Sequence, residues 1–385
     1  MASIRIGSLF DIPIKLGVSF LLVVPLLAYL IGVQMGQVIE LLNVTFGTAI
    51  EPEPLTDGLT PWLLGLTAAL GLFVSVLMHE LGHSLVARRY GIDTESITLW
   101  FLGGLAQLAE FPEDWRKEFA IAIAGPIVSV GVGVLCYAAF VLLPAEQSAA
   151  MFVFGYLAVL NVILAVFNML PGFPMDGGRV LRALLSRNRS RLHATHIAAS
   201  VGKAFAIVLG IVGILGFNIF WIAIAFFIYI AASSETQHAF VEAALDGLTV
   251  GEIMTPAAEL DTVTPGTSLD ALLDRMLRER HTGYPVLDDG ELVGIVTLED
   301  VQERAPDDAD GTVGDVMSTE LVTVSAGSAA TTALTTLQRK GIGRILVTED
   351  DGTLIGLISR TDLMTVLEIV GTSRSTAVEP ETIER

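Results

Sequence analysis

Cysteine is all but missing from this chain. Cys136 is the only one in 385 residues, and it lies inside an apolar run. That excludes an intrachain disulfide and any zinc site built from thiolates. Charge is scarce too, at 17% of residues, and basic charge scarcer, with 22 Lys and Arg against 42 Asp and Glu. Neutralising a phosphate backbone needs Lys and Arg, so no nucleic-acid partner is expected. The charge that exists sits late. From Val241 onward there are 27 acidic and 10 basic residues, a net of −17 out of the formal −20. An acidic soluble part therefore follows a nearly neutral one, and a surface this acidic suits a high-salt interior.

What is abundant is apolar. The chain is 52% hydrophobic, with a mean hydropathy of +0.65, too high for an ordinary soluble globule. A hydrocarbon layer of about 30 Å takes a helix of about 20 apolar residues. Uncharged stretches place six such spans. The first lies within Leu16–Ile39, with Pro25 as a candidate kink, and the second runs from Gly58 to Met78 and beyond. The third and fourth lie in Phe119–Ala145 and Gln147–Met175; Ile197–Ser234 is long enough for two, broken near Gly216-Phe217-Asn218. No small-residue cleavage site ends a short apolar core at the start, so the first span is read as retained.

Basic residues are also missing from one set of loops. With six spans, one side receives Arg5, Lys15, Arg88, Arg89, Arg116, Lys117, Arg179, Arg182, Arg187, Arg189, Arg191 and Lys203. The opposite loops, around Gln34–Pro61, Pro144–Ala150 and Gly216–Asn218, have no Lys or Arg. The positive side faces the cytoplasm, which puts the N-terminus and the C-terminal part there; five spans would scatter the positive charges. Between the second and third spans, the segment from Ile97 to Leu108 is apolar but short and broken by glycine. It reads as a hairpin or re-entrant strand, tolerable at membrane depth only where protein or a wet cavity satisfies its backbone.

His79-Glu80-Leu81-Gly82-His83 follows the second span directly. On a helix, residues i and i+4 lie on one face, so both imidazoles can bind one zinc ion at about 2.0–2.1 Å. Glu80 is then placed to take a proton from a zinc-bound water, whose pKa the metal lowers to about 7. Three ionisable groups at the end of a span imply a function. Acidic residues are absent between Glu146 and Glu235 except for Asp176, in Asn168-Met-Leu-Pro-Gly-Phe-Pro-Met-Asp-Gly-Gly178. Asp176 falls at the same expected depth as the histidines. Two readings of it stand side by side: a third ligand, completing a two-His, one-carboxylate site, or a cap for the helix beginning GGRVLRALL. Pro171 and Pro174 interrupt helix just before it. His193, His196, His238 and His281 read as solvated or structural.

HELGHSLVARRYGI, the Gly103-Gly104 pair, Ala124-Gly125-Pro126 and NMLPGFPMDGGR, in that order and spacing, resemble the site-2 protease family across roughly residues 1–235. The resemblance implies a polytopic α-helical membrane domain and a zinc endopeptidase that cuts a peptide bond in or near a transmembrane segment of a membrane-protein substrate. It implies one zinc per chain, with His79, His83 and Asp176 as ligands and Glu80 as catalytic base. Asn168 stands at the family position that helps hold the substrate or the oxyanion. The strand around Gly103-Gly104 resembles the family's edge strand, which could hold an extended substrate by β-augmentation.

The C-terminal part repeats itself. VGEIMTP at Val250 returns as VGDVMST at Val313, TVTPGTS at Thr262 as TVSAGSA at Thr323, and GELVGIVTLEDV at Gly290 as GTLIGLISRTDL at Gly352. Each copy reads strand, helix, strand, strand, helix. The pair resembles tandem CBS domains, a soluble α/β module that implies an adenine nucleotide (AMP, ADP or ATP) as regulatory ligand and a homodimer as assembly. The ribose-contacting pattern of that family appears at Thr297 and Asp300, and again at Ser359 and Asp362. The expected organisation is a membrane protease domain over residues 1–238, with a short membrane-associated β element, CBS domains over 248–305 and 311–371, and a disordered polar tail over 372–385. Two rival readings remain at this point. One is a CBS-regulated channel or transporter, which would have no use for HExxH with a distant Asp-Gly. The other is an inactive relative, against which the intact Glu80 argues.

Overall fold

The computed structural model describes residues 3–101, 103–108, 112, 114–304 and 311–376. Contacts divide the chain into two units, Met1–Ala239 and Phe240–Arg385.

The first unit opens with strands that the search for apolar runs had passed over. Strand β1 (Ser3–Leu9) turns through Phe10 and Asp11, both at positive φ, into β2 (Ile12–Gly17). Helices α1 (Phe20–Val33) and α2 (Met35–Phe46) follow, bent by 70° at Gln34. The helix continues through Pro25, where a kink was expected, and breaks nine residues later. The bend lets Met35, Ile39 and Leu42, on one face of α2, join a core with Phe73 and Phe152. A short helix α3 (Glu53–Thr56) leads into α4 (Thr60–Arg89). Pro61 sits in the first turn of α4, where its missing N–H costs nothing, and Arg88 and Arg89 end it at the negative pole of the dipole.

Strands β3 (Thr94–Trp100) and β4 (Gly103–Leu108) form the expected hairpin. The sheet they join is larger than the sequence suggested: order β1-β2-β3-β4, with β2 and β3 parallel and the other pairs antiparallel. Ile12 of β2, Ile97 of β3 and Ala106 of β4 pack on Leu77 and Leu81 of α4. β4 is an edge strand, and among the described residues no strand pairs with its outer side.

Helix α5 (Trp115–Leu142) is capped by the Asp114 carboxylate, which accepts from Arg116 N at 2.8 Å. Helix α6 (Ser148–Asn168) stops short of the expected Met175, because Pro171 and Pro174 cannot continue it. The loop that follows ends in α7 (Asp176–Ser186). Helices α8 (Arg191–Leu215) and α9 (Ile219–Leu245) part at the expected break, where Asn218 Oδ1 accepts from the N–H groups of Phe220 and Trp221. Helices α4, α5, α6, α8 and α9 are each long and apolar enough to cross a membrane, and the bent α1–α2 pair makes a sixth span if it is one.

In the second unit the repeat is visible as α10 (Val250–Ile253), β5 (Thr255–Pro256), α11 (Leu269–Glu279), β6 (Gly283–Asp288), β7 (Glu291–Thr297) and α12 (Leu298–Arg304), then α13 (Val313–Val316), β8 (Thr323–Val324), α14 (Ala330–Lys340), β9 (Arg344–Thr348), β10 (Leu354–Ser359) and α15 (Arg360–Thr376). The two copies are interlocked rather than sequential. Val313 and Val316, which open the second repeat, are buried in the core of the first with Leu272, Tyr284 and Val296. Val250, which opens the first, is buried in the core of the second with Leu337, Ile345 and Ile358. Likewise β5 pairs with β10 across the repeats. Helix α15 runs to Thr376, into the segment expected as a polar tail; residues 377–385 lie outside the described residues.

Candidate metal centre and active site

Three elements meet at the C-terminal half of α4. His79 and His83 lie one turn apart and are both buried, 4% and 5% exposed. Asp176, the first residue of α7, reaches them from a helix N-terminus, where the dipole favours a carboxylate. Its Oδ2 lies 3.0 Å from His79 Nε2 and 3.1 Å from His83 Nε2, and the two Nε2 atoms are 3.2 Å apart.

The far side of each ring orients these atoms. His83 Nδ1 lies 2.7 Å from Ile121 O. A carbonyl only accepts, so Nδ1 carries a proton, and Nε2 is the nitrogen that presents a lone pair when the ring is neutral. His79 Nδ1 lies 2.8 Å from Ser129 Oγ, which can accept from it in the same way. With both rings neutral in this tautomer, two lone pairs and a carboxylate oxygen converge on one point, the donor set that a cation would take. Tetrahedral bonds of about 2.0–2.1 Å put ligand atoms about 3.3 Å apart, close to the spacings found. The donor set therefore fits zinc.

The third wall is helix α5 at Gly125. A Cβ there would stand 2.7 Å from His79 Nε2 and closer still to His83 Nε2. Only glycine allows this helix to supply Ile121 O and Ser129 Oγ to the two rings while passing beside the metal position. On the open side lies Glu80, whose side chain packs against Gly104 of the edge strand β4; a Cβ at Gly104 would collide with it. The acidic residue next to the metal position thus adjoins a strand edge that no other described strand pairs with. Asn168 is not brought in: it ends α6, and its amide donates to Leu164 O at 3.0 Å rather than to any member of the cluster.

The family model of peptidase family M50 matches residues 67–152 and 143–209, and that of the CBS domain matches 250–307 and 313–369. A zinc metalloprotease of Methanocaldococcus jannaschii is 35% identical over 375 residues, covering 96% of this chain and 97% of its own. The chain belongs to peptidase family M50. Stage IV sporulation protein FB of Bacillus subtilis is 31% identical to this M50 chain over 145 residues, 37% of it and 49% of the relative. The solved structure of a site-2 protease from Methanocaldococcus jannaschii is 33% identical, covers 61% of this chain and 95% of its own, and superposes with a TM-score of 0.42. On the family models and the full-length curated relative, the M50 chain is a zinc metalloprotease of the site-2 protease family, a multi-pass membrane protein with a CBS pair, and the channel or transporter reading falls away.

Two contacts of the M50 site escaped sequence reasoning: Ser129, one turn beyond the Ala124-Gly125-Pro126 motif, and the Ile121 carbonyl. A buried serine within a span was a signal for the first; a backbone oxygen leaves none. The second group of metal-type residues, Asp261, Glu279 and His281, is exposed. Arg275 already bonds both of its carboxylates, at 3.0 and 2.9 Å, so it reads as an ion-pair network.

In the CBS pair, Thr297 and Ser359 end β7 and β10, and their hydroxyls cap the helices that follow, accepting from Asp300 N and Asp362 N, both at 3.3 Å. Asp300 Oδ2 accepts from Thr297 N and Oγ1 at 2.9 and 2.6 Å, and Asp362 Oδ2 from Ser359 N and Oγ, both at 2.7 Å. Ser318 Oγ also donates to Asp300 Oδ1, at 3.0 Å, whereas among the described residues none donates to Asp362 Oδ1. Arg344 donates across the repeats to Thr282 Oγ1 at 2.9 Å. Burial pulls its pKa down, and the neighbouring Tyr284 and Asp362 support its charge.

Proposed function

We propose that this metalloprotease hydrolyses a peptide bond in or near a transmembrane segment of a membrane-protein substrate. In this reading His79, His83 and Asp176 hold zinc, Glu80 is the general base, and an adenine nucleotide at the CBS pair regulates cleavage. The observation that carries it is the convergence of three donor atoms within 3.2 Å of one another beside a carboxylate and a strand edge that no other described strand pairs with.

A transmembrane helix shields its peptide bonds with internal hydrogen bonds, so it must be unwound before it can be cut. β4 offers the unwound segment a replacement set of backbone partners by strand addition, and Gly104 brings that segment alongside Glu80. When bound, zinc supplies water of lowered pKa and polarises the scissile carbonyl. Glu80 takes the proton from the attacking water and returns it to the leaving amine. Ile121 O and Ser129 Oγ hold the two imidazoles in one tautomer and orientation throughout. Asn168 is assigned to holding the substrate, which requires its amide to leave Leu164 O and turn toward the bound chain. The Lys and Arg distribution supports a cytoplasmic N-terminus and CBS pair.

For the nucleotide, Asp362 offers a ribose its Oδ1, to which no described residue donates, and Arg344 offers a phosphate its remaining guanidinium donors. The test uses purified protein in liposomes with single-span reporter proteins, mapping the cut bond by mass spectrometry with and without AMP. The expected result is a cut within or at the edge of the span, at a rate that AMP changes in the wild type and leaves unchanged in Asp362→Ala. Cleavage confined to soluble loops would contradict the intramembrane reading, and equal AMP effects in both proteins would contradict the nucleotide site.

A further inference from the structure

Behind the loop that leads to Asp176 lies a buried ion pair. Arg182, in the second turn of α7, is 6% exposed, and Glu118, in the first turn of α5, is 5% exposed. Arg182 Nε and Nη2 lie 2.6 and 2.5 Å from Glu118 Oε1. The same guanidinium stands 4.9 Å from the centre of the Phe173 ring and 3.8 Å from Glu235 of α9. Phe173 is itself fully buried against Ala198, Ala199 and Ala232 of α8 and α9. One side chain therefore ties α7 to α5, to the loop before Asp176, and to α9.

A buried ion pair explains stability poorly. Desolvation offsets most of its attraction, and apolar residues of similar volume often serve as well or better; its best-attested use is to fix one arrangement among several. The arrangement at issue here is the spacing of α5 and α7. Helix α5 supplies Ile121 O, Gly125 and Ser129 to the histidines, and α7 supplies Asp176. The planar fork of arginine holds a carboxylate at a set distance and angle, which the single ammonium of lysine does not. We propose that Glu118 and Arg182 are positioning residues for the zinc centre: the pair sets where Asp176 stands relative to His79 and His83, and so sets the affinity for the metal. This rests on the reading of Asp176 as a zinc ligand.

The test is chelator competition for zinc on full-length, detergent-purified protein, with thermal unfolding of each zinc-free sample measured beside it. Arg182→Lys is expected to weaken zinc binding about 10–100-fold, the range for groups that orient metal ligands. The apolar double variant Glu118→Leu/Arg182→Met is expected to melt near the wild-type temperature and still bind zinc more weakly by a similar factor. A double variant that melts like the wild type and holds zinc with wild-type affinity would overturn the proposal, leaving the pair merely structural. If the double variant does not fold, Arg182→Lys decides, and unchanged affinity there overturns it equally. Asp176→Ala runs alongside: retention of zinc in that variant would mean that the ligand reading itself has failed, whatever Arg182 does.

Discussion

Glu80→Gln is expected to keep its zinc and to lose cleavage by about 10²–10⁴-fold, the usual contribution of a positioned acid–base group, equivalent to about 3–5 kcal/mol of barrier. The substitution keeps the volume and polarity of the side chain, so its packing against Gly104 survives. His79 and His83 keep their bonds to Ser129 and Ile121. What disappears is the carboxylate that accepts a proton from water. Rates on a reporter substrate, read beside zinc content, separate loss of the base from loss of the metal. An unchanged rate with full zinc would take Glu80 out of the chemistry.

Gly125→Ala is expected to abolish zinc binding, and with it all activity. The added methyl would stand 2.7 Å from His79 Nε2 and nearer to His83 Nε2, and it would occupy space that the metal needs. The rings cannot turn away, because their Nδ1 atoms are held at 2.8 and 2.7 Å by residues of the same helix that carries the methyl. Moving α5 outward breaks those bonds and costs the site just as much. Gly131, on the same helix with nothing within 4 Å of an added Cβ, is the control: Gly131→Ala is expected to bind zinc as the wild type does, with a slight gain from the better helix former. Zinc analysis of both variants checks the contrast.

The parts legible from sequence were those that break a composition rule. HELGH stood out because charged groups are costly at a span's end, and Asp176 because it was the lone acidic residue in a long uncharged stretch. The repeat and the α8–α9 break were visible for similar reasons. The N-terminal hairpin is marked only by the alternation of Ile4, Ile6, Ile12 and Ile14 with other residues; the turn at Phe10-Asp11 contains no glycine or proline, and the apolar run beginning at Leu16 masks the strand before it. The interlocking of the CBS repeats could not be read, because pattern repeats show what each copy resembles and not which core its short helices enter. Nor could the Glu118–Arg182 pair, since Arg182 looks like one more cation in a basic loop until α7 folds it inward. The resting place of Asn168, bonded within its own helix, is likewise decided by a side-chain rotation that no motif encodes.

The most direct test of the account is metal analysis of detergent-purified protein, wild type beside His79→Ala and Asp176→Ala. Near-stoichiometric zinc in the wild type, lost from both variants, is the predicted result, since the proposed ligand atoms of His79, His83 and Asp176, on two helices and up to 97 residues apart in sequence, converge within 3.2 Å. Zinc retained at the wild-type level in Asp176→Ala, or absent from wild-type protein even after zinc is supplied, would contradict it.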